Sequence, residues 1–204
     1  MNYLERKRTM QVNSDLTHGD RRLAVEDAEP AMATVDRYNA VARTLHWTVA
    51  LLIASLYGTN WMRSDAPHGS AERLWWLSAH ESLGLLVLFL CLGRLFWRLT
   101  HATPPLHGSP MVRGLAAAGH GLLYLATIAL PLAGITRAFA ANELRFFGLV
   151  LPVSAERSPM LAAIAHFAHG GLVMNSLLAL IAGHALAALW HQFLLKDGTL
   201  DRMI

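Results

Sequence analysis

Cysteine and charged residues are both scarce in this sequence. Cysteine occurs once, as Cys91, so the chain cannot form an intramolecular disulfide or supply the thiolates of a zinc or iron–sulfur site. Charged residues make up 15% of the chain, whereas they make up about a quarter of an average soluble domain. Glu81 is the only acidic residue within the long apolar runs. A di-metal centre built from several glutamates of a helical bundle is therefore excluded.

In place of charge, the chain has long hydrophobic runs. Apolar residues make up 54% of it, and the mean hydropathy is +0.34. Four runs, each close to the roughly 20 residues that cross a bilayer as a helix, cover residues 41–62, 75–97, 115–138 and 160–190. They are too long and too uniformly apolar for the strands of a membrane barrel. The sequence therefore predicts an all-α integral membrane protein, a bundle of four transmembrane helices.

The distribution of charge predicts how this bundle is oriented. Residues 1–36 are polar and lack an apolar stripe, which predicts a disordered cytoplasmic extension ahead of a four-helix membrane domain at 37–204. Twelve lysines and arginines lie on the side of the membrane that holds both termini, and five lie on the other side. Because basic residues concentrate in cytoplasmic segments, both termini are predicted to be cytoplasmic. The pI of about 9.4 reflects this excess and not nucleic-acid binding.

Histidine is unusually frequent for a membrane protein. The chain has eleven. Seven of them fall within or at the ends of the apolar runs: His46, His80, His120, His166, His169, His184 and His191. Polar side chains inside a bilayer are costly unless they have a partner or a function, so these seven need an explanation.

Depth sorts four of these histidines into two pairs. His46 and His184 share the cytoplasmic half of the bilayer, whereas His80 and His169 share the outer half. At 1.5 Å per residue, His169 and His184 are separated by about 22 Å along a helix. Two histidines on different helices at one depth can bind a haem iron from both faces. An interhelical hydrogen bond explains any single histidine equally well, but two matched pairs favour two haems stacked across the membrane.

The surroundings of the histidines are compatible with a cofactor without requiring one. Glycine and alanine flank the candidate ligands and leave room for a flat macrocycle, although small residues also serve ordinary helix packing. Arg43, Arg94 and Arg98 could pair with haem propionates at the cytoplasmic side. Extension of their charged ends to the membrane interface is an equally good explanation.

A set of ordered motifs carries a family resemblance over about four-fifths of the chain. In order, they are Tyr38 with Leu45-His46-Trp47; His80 with Arg94, Arg98 and Thr103-Pro104-Pro105; Gly119-His120-Gly121; Ala129-Leu130-Pro131-Leu132-Ala133-Gly134; Gly183-His184-Ala185; His191; and Lys196-Asp197-Gly198-Thr199-Leu200. Each motif alone is weak, but the ordered set is specific. The chain resembles the bacterial cytochrome b561 family of small four-helix membrane proteins that bind two haems.

This resemblance implies haem ligands and identifies one departure. It implies that His46 and His184 hold the cytoplasmic haem b, and that His80 and the first histidine of the fourth run hold the outer one. The family places the two histidines of that run 14 residues apart, and Gly170 occupies that position here. His169 is one residue off, which a π-bulge could absorb. We predict His169 as the ligand, with His166, one turn further out, as the alternative.

The resemblance also implies an activity at the inner membrane of a bacterium. The family includes oxidoreductases that oxidise superoxide and reduce ubiquinone, which implies electron transfer from a periplasmic donor through both haems to ubiquinone. Superoxide, an anion, would be drawn by Arg63, Arg73 and Arg145. His120 and His191 are candidates for hydrogen-bonding the quinone or relaying its protons, with interfacial packing as the alternative. Two other functions stay open: a haem-bearing membrane anchor for a partner dehydrogenase or hydrogenase, and a structural bundle without haem.

Overall fold

The structure is a computed structural model that describes residues 36–106, 108–153 and 158–204. The predicted disordered extension at 1–36 lies outside this part of the chain, apart from its last residue. The helices are α1 (Ala40–Asp65), α2 (Ala71–Thr100), α3 (Pro110–Ala140), α4 (Pro159–Ala168) and α5 (Gly171–Trp190), and a π-helical turn (His191–Leu195) follows α5. Two short antiparallel strands, β1 (Glu143–Phe146) and β2 (Leu149–Pro152), lie between α3 and α4.

The predicted bundle of four membrane-length helices is confirmed. Within the described residues, α1, α2, α3 and the combined segment Pro159–Leu195 are long and apolar enough to cross a membrane. The first four helices begin with a side chain that accepts a hydrogen bond from the backbone N–H three residues later. These caps are Asn39, Ser70, Ser109 and Ser158. They satisfy amides that a helix leaves without a partner at its start.

The helices pack in sequence around a small core. α1 packs on α2, α2 on α3, and α3 on both α4 and α5. Val49 of α1 meets Val87 and Cys91 of α2 in the only cluster of fully buried apolar side chains among the described residues. Small interhelical cores are typical of membrane bundles, because the outward faces of the helices contact lipid.

The two ends of the bundle hold different parts of the chain. The hairpin end holds the α1–α2 loop and the two strands. The tail end holds residues 36–39, the α2–α3 loop and residues 196–204, which fold back onto the bundle: the Trp47 indole N–H donates to the Met203 carbonyl at 2.9 Å, and the Tyr38 N–H donates to the Arg202 carbonyl at 3.1 Å. The tail residues therefore cover one mouth of the bundle.

Large apolar side chains cover the outside of the bundle. Leu99 and Met111 are 76% exposed and Trp61 is 74% exposed, which is unfavourable in water and expected against lipid. Exposed tryptophans occur at both ends: Trp61 and Trp75 at the hairpin end, and Trp47 and Trp190 at the tail end. Tryptophan is enriched at the two membrane interfaces, so these side chains indicate where the bilayer begins and ends.

The fourth apolar run is not one continuous helix. α4 ends at Ala168, His169 caps its C-terminus, and Gly170 is the first residue before α5. A Cβ atom at Gly170 would lie 3.0 Å from the carbonyl oxygens of His166 and Phe167, so any larger residue at this break would require the backbone to shift. The extra residue between the two predicted ligands is therefore accommodated by a helix break rather than by a π-bulge.

Val87 tests the packing of the bundle. Its side chain is 1% exposed, whereas the neighbouring Leu86 is 38% exposed. Val87→Ala is expected to destabilise the bundle by about 1–3 kcal/mol, because it removes methyl groups that pack between helices. Leu86→Ala removes more atoms from a lipid-facing position and is expected to cost less. Thermal or SDS-induced unfolding in detergent micelles measures both, and an equal loss in the two variants would contradict this packing.

Candidate functional site

Three histidines converge at the tail end of the bundle. His46 on α1 and His184 on α5 have ring centroids 6.2 Å apart, with an angle of 66° between the ring planes. His120 on α3 is also close to His184, with its centroid 5.5 Å away. The two histidines predicted to form the first ligand pair therefore do lie side by side.

Two further histidines meet at the hairpin end. His80 on α2 and His169, at the break between α4 and α5, have ring centroids 6.0 Å apart and ring planes at 86°. The alternative ligand, His166, is exposed on α4. The break therefore brings His169, and not His166, to His80.

The separation within each pair is suited to one metal ion between the rings. With metal–nitrogen bonds of about 2 Å and about 1 Å from nitrogen to ring centre, two imidazoles on opposite sides of one ion have centroids about 6 Å apart. No group of three or more His, Cys, Asp or Glu side chains in the described part of the chain could hold a bare metal ion. A pair of imidazoles therefore fits an ion whose other ligands come from a cofactor, as in haem.

At the hairpin end, backbone carbonyls fix the orientation of both rings. His80 Nδ1 lies 3.2 Å from the Leu56 carbonyl and 3.1 Å from the Thr59 hydroxyl, and His169 Nδ1 lies 2.7 Å from the Leu130 carbonyl. An Nδ1–H that donates to a carbonyl leaves Nε2 unprotonated and available to a metal, which is the usual arrangement for a metal-binding histidine. His80 and His169 would therefore be able to hold a haem through its iron.

The tail-end histidines differ, because their buried nitrogens lack protein partners. Within the described residues, His46 Nδ1 and His120 Nδ1 are buried without a hydrogen bond. A buried polar atom without a partner is costly and indicates a missing ligand or water. Both histidines line the cavity described next, so this end of the bundle is suited to a bound group that supplies polar contacts.

Each histidine pair borders a cavity. The hairpin-end cavity has a volume of about 70 Å³ and is lined by His80, His169, Tyr57, Asn60, Thr127 and mostly apolar side chains. The tail-end cavity is much larger, about 570 Å³, and is lined by all three tail-end histidines together with Arg94 and Arg98. Cofactor sites commonly have volumes of about 300–1,000 Å³. The tail-end cavity therefore falls within the range of a site for one cofactor, and the hairpin-end cavity is smaller than that range.

Gly134 on α3 allows His169 to approach. A Cβ atom at this position would lie 3.1 Å from His169 Cε1. The carbonyl that accepts from His169 belongs to Leu130, one turn earlier on the same helix. Sequence reasoning noted the motif that contains both residues but assigned it no role. The available signal was Gly134, which follows Leu130 by one helical turn and therefore lies on the same face of α3.

Two other predicted site residues lie apart from the histidine pairs. Arg43 directs its guanidinium to the Ile204 backbone oxygen and is not part of the lining of the tail-end cavity. His191 starts the π-helical turn, and its Nδ1 lies 2.5 Å from Asp197 Oδ2. The structure therefore brings Arg94 and Arg98 to the cavity wall instead, and pairs His191 with a carboxylate.

Asp197 is held in its charged form. Partial burial alone would raise its pKa, but hydrogen bonds from Thr199 and the contact with His191 lower the pKa of the Asp197 carboxyl to about 2. The Thr199 hydroxyl and N–H both donate to Oδ1, at 2.6 and 3.1 Å. The carboxylate is therefore ionised at any physiological pH, and it fixes the orientation of the His191 ring.

Comparison with known proteins agrees with this geometry. The family model for prokaryotic cytochrome b561 matches residues 37–204. The protein named "Probable superoxide oxidase CybB" of Yersinia pestis is 36% identical over 171 residues, which are 82% of this chain and 96% of that one. "Cytochrome b561 homolog 1" of Escherichia coli K12 is 32% identical over 174 residues, 83% and 98% of the two chains. "Cytochrome b562" of Cereibacter sphaeroides is 32% identical over 176 residues, which are 82% of this chain and 94% of that one.

These matches cover the described membrane domain almost end to end. The family implies haem b, a bacterial membrane and electron transfer, all of which are consistent with interhelical histidine pairs bordered by cavities. The predicted resemblance is confirmed: this chain belongs to the prokaryotic cytochrome b561 family.

Proposed function

We propose that the chain binds two b-type haems and carries electrons across the bacterial inner membrane from superoxide to ubiquinone. The observation that carries the proposal is the two interhelical imidazole pairs, His46 with His184 and His80 with His169, whose centroids are 6.2 and 6.0 Å apart. Each pair would hold one haem through its iron. Haem supplies one-electron redox chemistry when it is bound.

The chain's own residues hold and orient the cofactors. The carbonyls of Leu56 and Leu130 fix the ring orientation of His80 and His169. Arg94 and Arg98 on the wall of the tail-end cavity would pair with propionate groups, because guanidinium binds carboxylates in a bidentate geometry. Arg43 would act in the same place only if its contact with the Ile204 oxygen were released.

The tail end would face the cytoplasm. The described basic residues near this end are Arg37, Arg43, Arg94, Arg98, Arg113, Lys196 and Arg202, and those near the hairpin end are Arg63, Arg73, Arg137 and Arg145. Basic residues concentrate in cytoplasmic segments. Both termini of the membrane domain would then be cytoplasmic, and the His80–His169 pair would lie in the periplasmic half.

Arginines at the hairpin end would attract an anionic donor. The Arg73 guanidinium donates to the Arg63 carbonyl at 2.7 Å, which keeps it beside the end of α1. Within the described residues, neither Arg63 nor Arg73 has an acidic partner, whereas Arg145 is paired with Glu143 at 2.9 Å. Arg63 and Arg73, rather than Arg145, would therefore draw superoxide to the His80–His169 site. The similarity to a protein named as a probable superoxide oxidase supports this donor.

The tail-end cavity would take the quinone. Two superoxide ions that become O₂ release two electrons, and ubiquinone that becomes ubiquinol takes up two electrons and two protons. His120 borders this cavity, and its buried Nδ1 has no protein partner, so it can exchange a hydrogen bond or proton with a quinone oxygen. His191, oriented by Asp197, would exchange protons between the quinone and the cytoplasmic side.

Haem content tests the ligand assignment. The purified wild-type chain is expected to contain two haems, His169→Ala one, and both His166→Ala and His120→Ala two, because His169 lies beside His80 and the proposal assigns His46, not His120, as the partner of His184. Reduced-minus-oxidised spectra with a haem-to-protein ratio measure this directly. Loss of a haem in His166→Ala with retention in His169→Ala would overturn the assignment. Quinone reduction by the purified chain alone would favour the proposed oxidoreductase over a membrane anchor for a partner enzyme.

Gly134 tests the approach of His169 to its partner. In Gly134→Ala the added methyl group would press on the His169 ring. Haem affinity at the hairpin-end site is expected to fall about 10- to 100-fold, as is usual when the supporting contacts of a metal-binding histidine are disturbed. The matched control is Gly114→Ala on the same helix, where a Cβ meets nothing within 4 Å. Haem titration of both variants measures the difference, and equal affinities would contradict the assigned role.

Asp197 tests the role of His191. Its folded pKa of about 2 lies below the ordinary value of 3.8, so its stabilising contact is complete above pH 3.8 and is lost as the pH falls through about 2. Asp197→Asn removes the charge at neutral pH and frees the His191 ring. We expect a several-fold higher KM for ubiquinone with unchanged haem content. Asp201→Asn, in the same tail segment, is the control, and an equal KM change in both variants would contradict a specific role.

A further inference from the structure

The β-hairpin of residues 143–152 is fastened to α2 by contacts that the proposed function does not use. Backbone N–H groups of the hairpin donate to side-chain oxygens of α2 in three places: Arg145 to Glu81 at 2.7 Å, Phe147 to Ser82 at 2.7 Å, and Gly148 to Ser78 at 3.2 Å. The three acceptors lie within about one turn of the helix. The hairpin therefore lies across a single turn of α2.

That turn lies inside a membrane-length helix. Trp75, near the start of α2, is 62% exposed, as is typical of tryptophan at a membrane interface. Ser78 and Ser82 lie about 5 and about 10 Å further along the helix. The hairpin contacts α2 on the membrane side of Trp75, at the depth that interfacial apolar elements reach below the lipid headgroups.

The hairpin leaves few backbone amides without a partner. Phe147 and Gly148 form a two-residue turn with positive φ at both positions. In such a hairpin the pair that closes the turn, Phe146 and Leu149, exchanges backbone hydrogen bonds. The next pair, Arg145 and Val150, directs its N–H groups away from the partner strand. Glu81 accepts from Arg145, and Pro152 has no N–H. The Val150 N–H is therefore the one amide that β2 directs away from the sheet, as suits a site with little water.

Strand β2 is apolar on both faces. Its exposed fractions are 64% for Leu149, 49% for Val150 and 48% for Leu151, and the turn residue Phe147 is 68% exposed. A strand with one face in water normally alternates apolar and polar residues, and β2 does not. The charged residues of the hairpin lie on β1, where Glu143 and Arg145 pair with each other.

The surface of α2 beside the hairpin continues as lipid-facing surface. Leu86 and Phe89 follow Ser82 at helical spacing on one face, and they are 38% and 63% exposed. Phe89 lies deep within the membrane-length helix, where lipid is the only solvent. The apolar side of the hairpin is therefore continuous with the surface that contacts acyl chains.

We propose that the hairpin is a membrane-inserted element whose β2 strand and Phe147 contact acyl chains of the leaflet at the hairpin end. Ser78, Glu81 and Ser82 hold it at that depth by accepting its backbone amides. Because Glu81 follows His80 directly, the same contacts brace the turn of α2 that carries His80. This proposal concerns the lipid contact of the domain and does not depend on the identity of the electron donor or acceptor.

Collision accessibility of nitroxide labels tests the proposal in proteoliposomes of the full chain. Cys91 is the only cysteine, so Phe147→Cys and Val150→Cys can each be labelled in a Cys91→Ala background. Oxygen concentrates in lipid, and a water-soluble nickel chelate is excluded from it. We expect nickel accessibility at 147 and 150 to be several-fold lower than at a label on His68→Cys in the exposed α1–α2 loop, and oxygen accessibility to match a label on Phe89→Cys.

The controls make each outcome decisive. Nickel accessibility at 147 and 150 equal to that at position 68 would place β2 in water and overturn the proposal. Exclusion of both probes would mean that protein, such as a second copy of the chain, covers β2, which also overturns it. Adding Ser78→Ala and Ser82→Ala is expected to raise label mobility at 150, because two amide acceptors are lost. Haem content identical to the wild type in the Phe147→Cys and Val150→Cys variants confirms that they are folded, and an unchanged size-exclusion elution profile does so for the variants that add Ser78→Ala and Ser82→Ala.

Discussion

An imidazole inside an apolar bundle needs partners for its ring nitrogens, and the rest of this structure depends on how that requirement is met. A carbonyl takes one nitrogen, as Leu130 does for His169, and the ring then lies beside a histidine of a different helix, with ring centroids 6.0 Å apart. The cost of an unpartnered polar group in lipid is high. Paired histidines at two levels therefore act as the fixed points that position α1, α2 and α5 around two cavities.

The break at His169 and Gly170 serves that requirement. On one continuous helix, the 15 residues from His169 to His184 would set the two side chains about 60° apart around the helix axis. Ending α4 at Ala168 and restarting at Gly171 releases the ring from the helical register. Gly134 completes the arrangement, because it lets the imidazole lie against α3. One glycine therefore permits the break and a second permits the approach.

The lengths of the apolar runs and the helical rise per residue were enough to predict the four spans and the two histidine pairs. Four apolar runs gave the four spans, because a bilayer sets helix length, and the rise per residue placed His46 with His184 and His80 with His169. The break was not predicted, because it depends on carbonyl positions around Gly170 that spacing does not reveal. The hairpin was also missed: Phe147 occupies a turn position where asparagine or glycine is usual, although three polar residues on one turn of α2 were an available signal. The contact of His191 with Asp197 depends on a chain reversal at Lys196, whose φ is +53°.

The ligation state of the bound iron tests the account most directly. Near-infrared magnetic circular dichroism of the oxidised, purified chain identifies axial ligands, and iron analysis of the same sample gives the number of irons per chain. The account predicts two irons per chain, both low-spin with two imidazole ligands. One iron per chain, or a spectrum in which either iron lacks a second imidazole, would contradict the pairing of histidines on which the function rests.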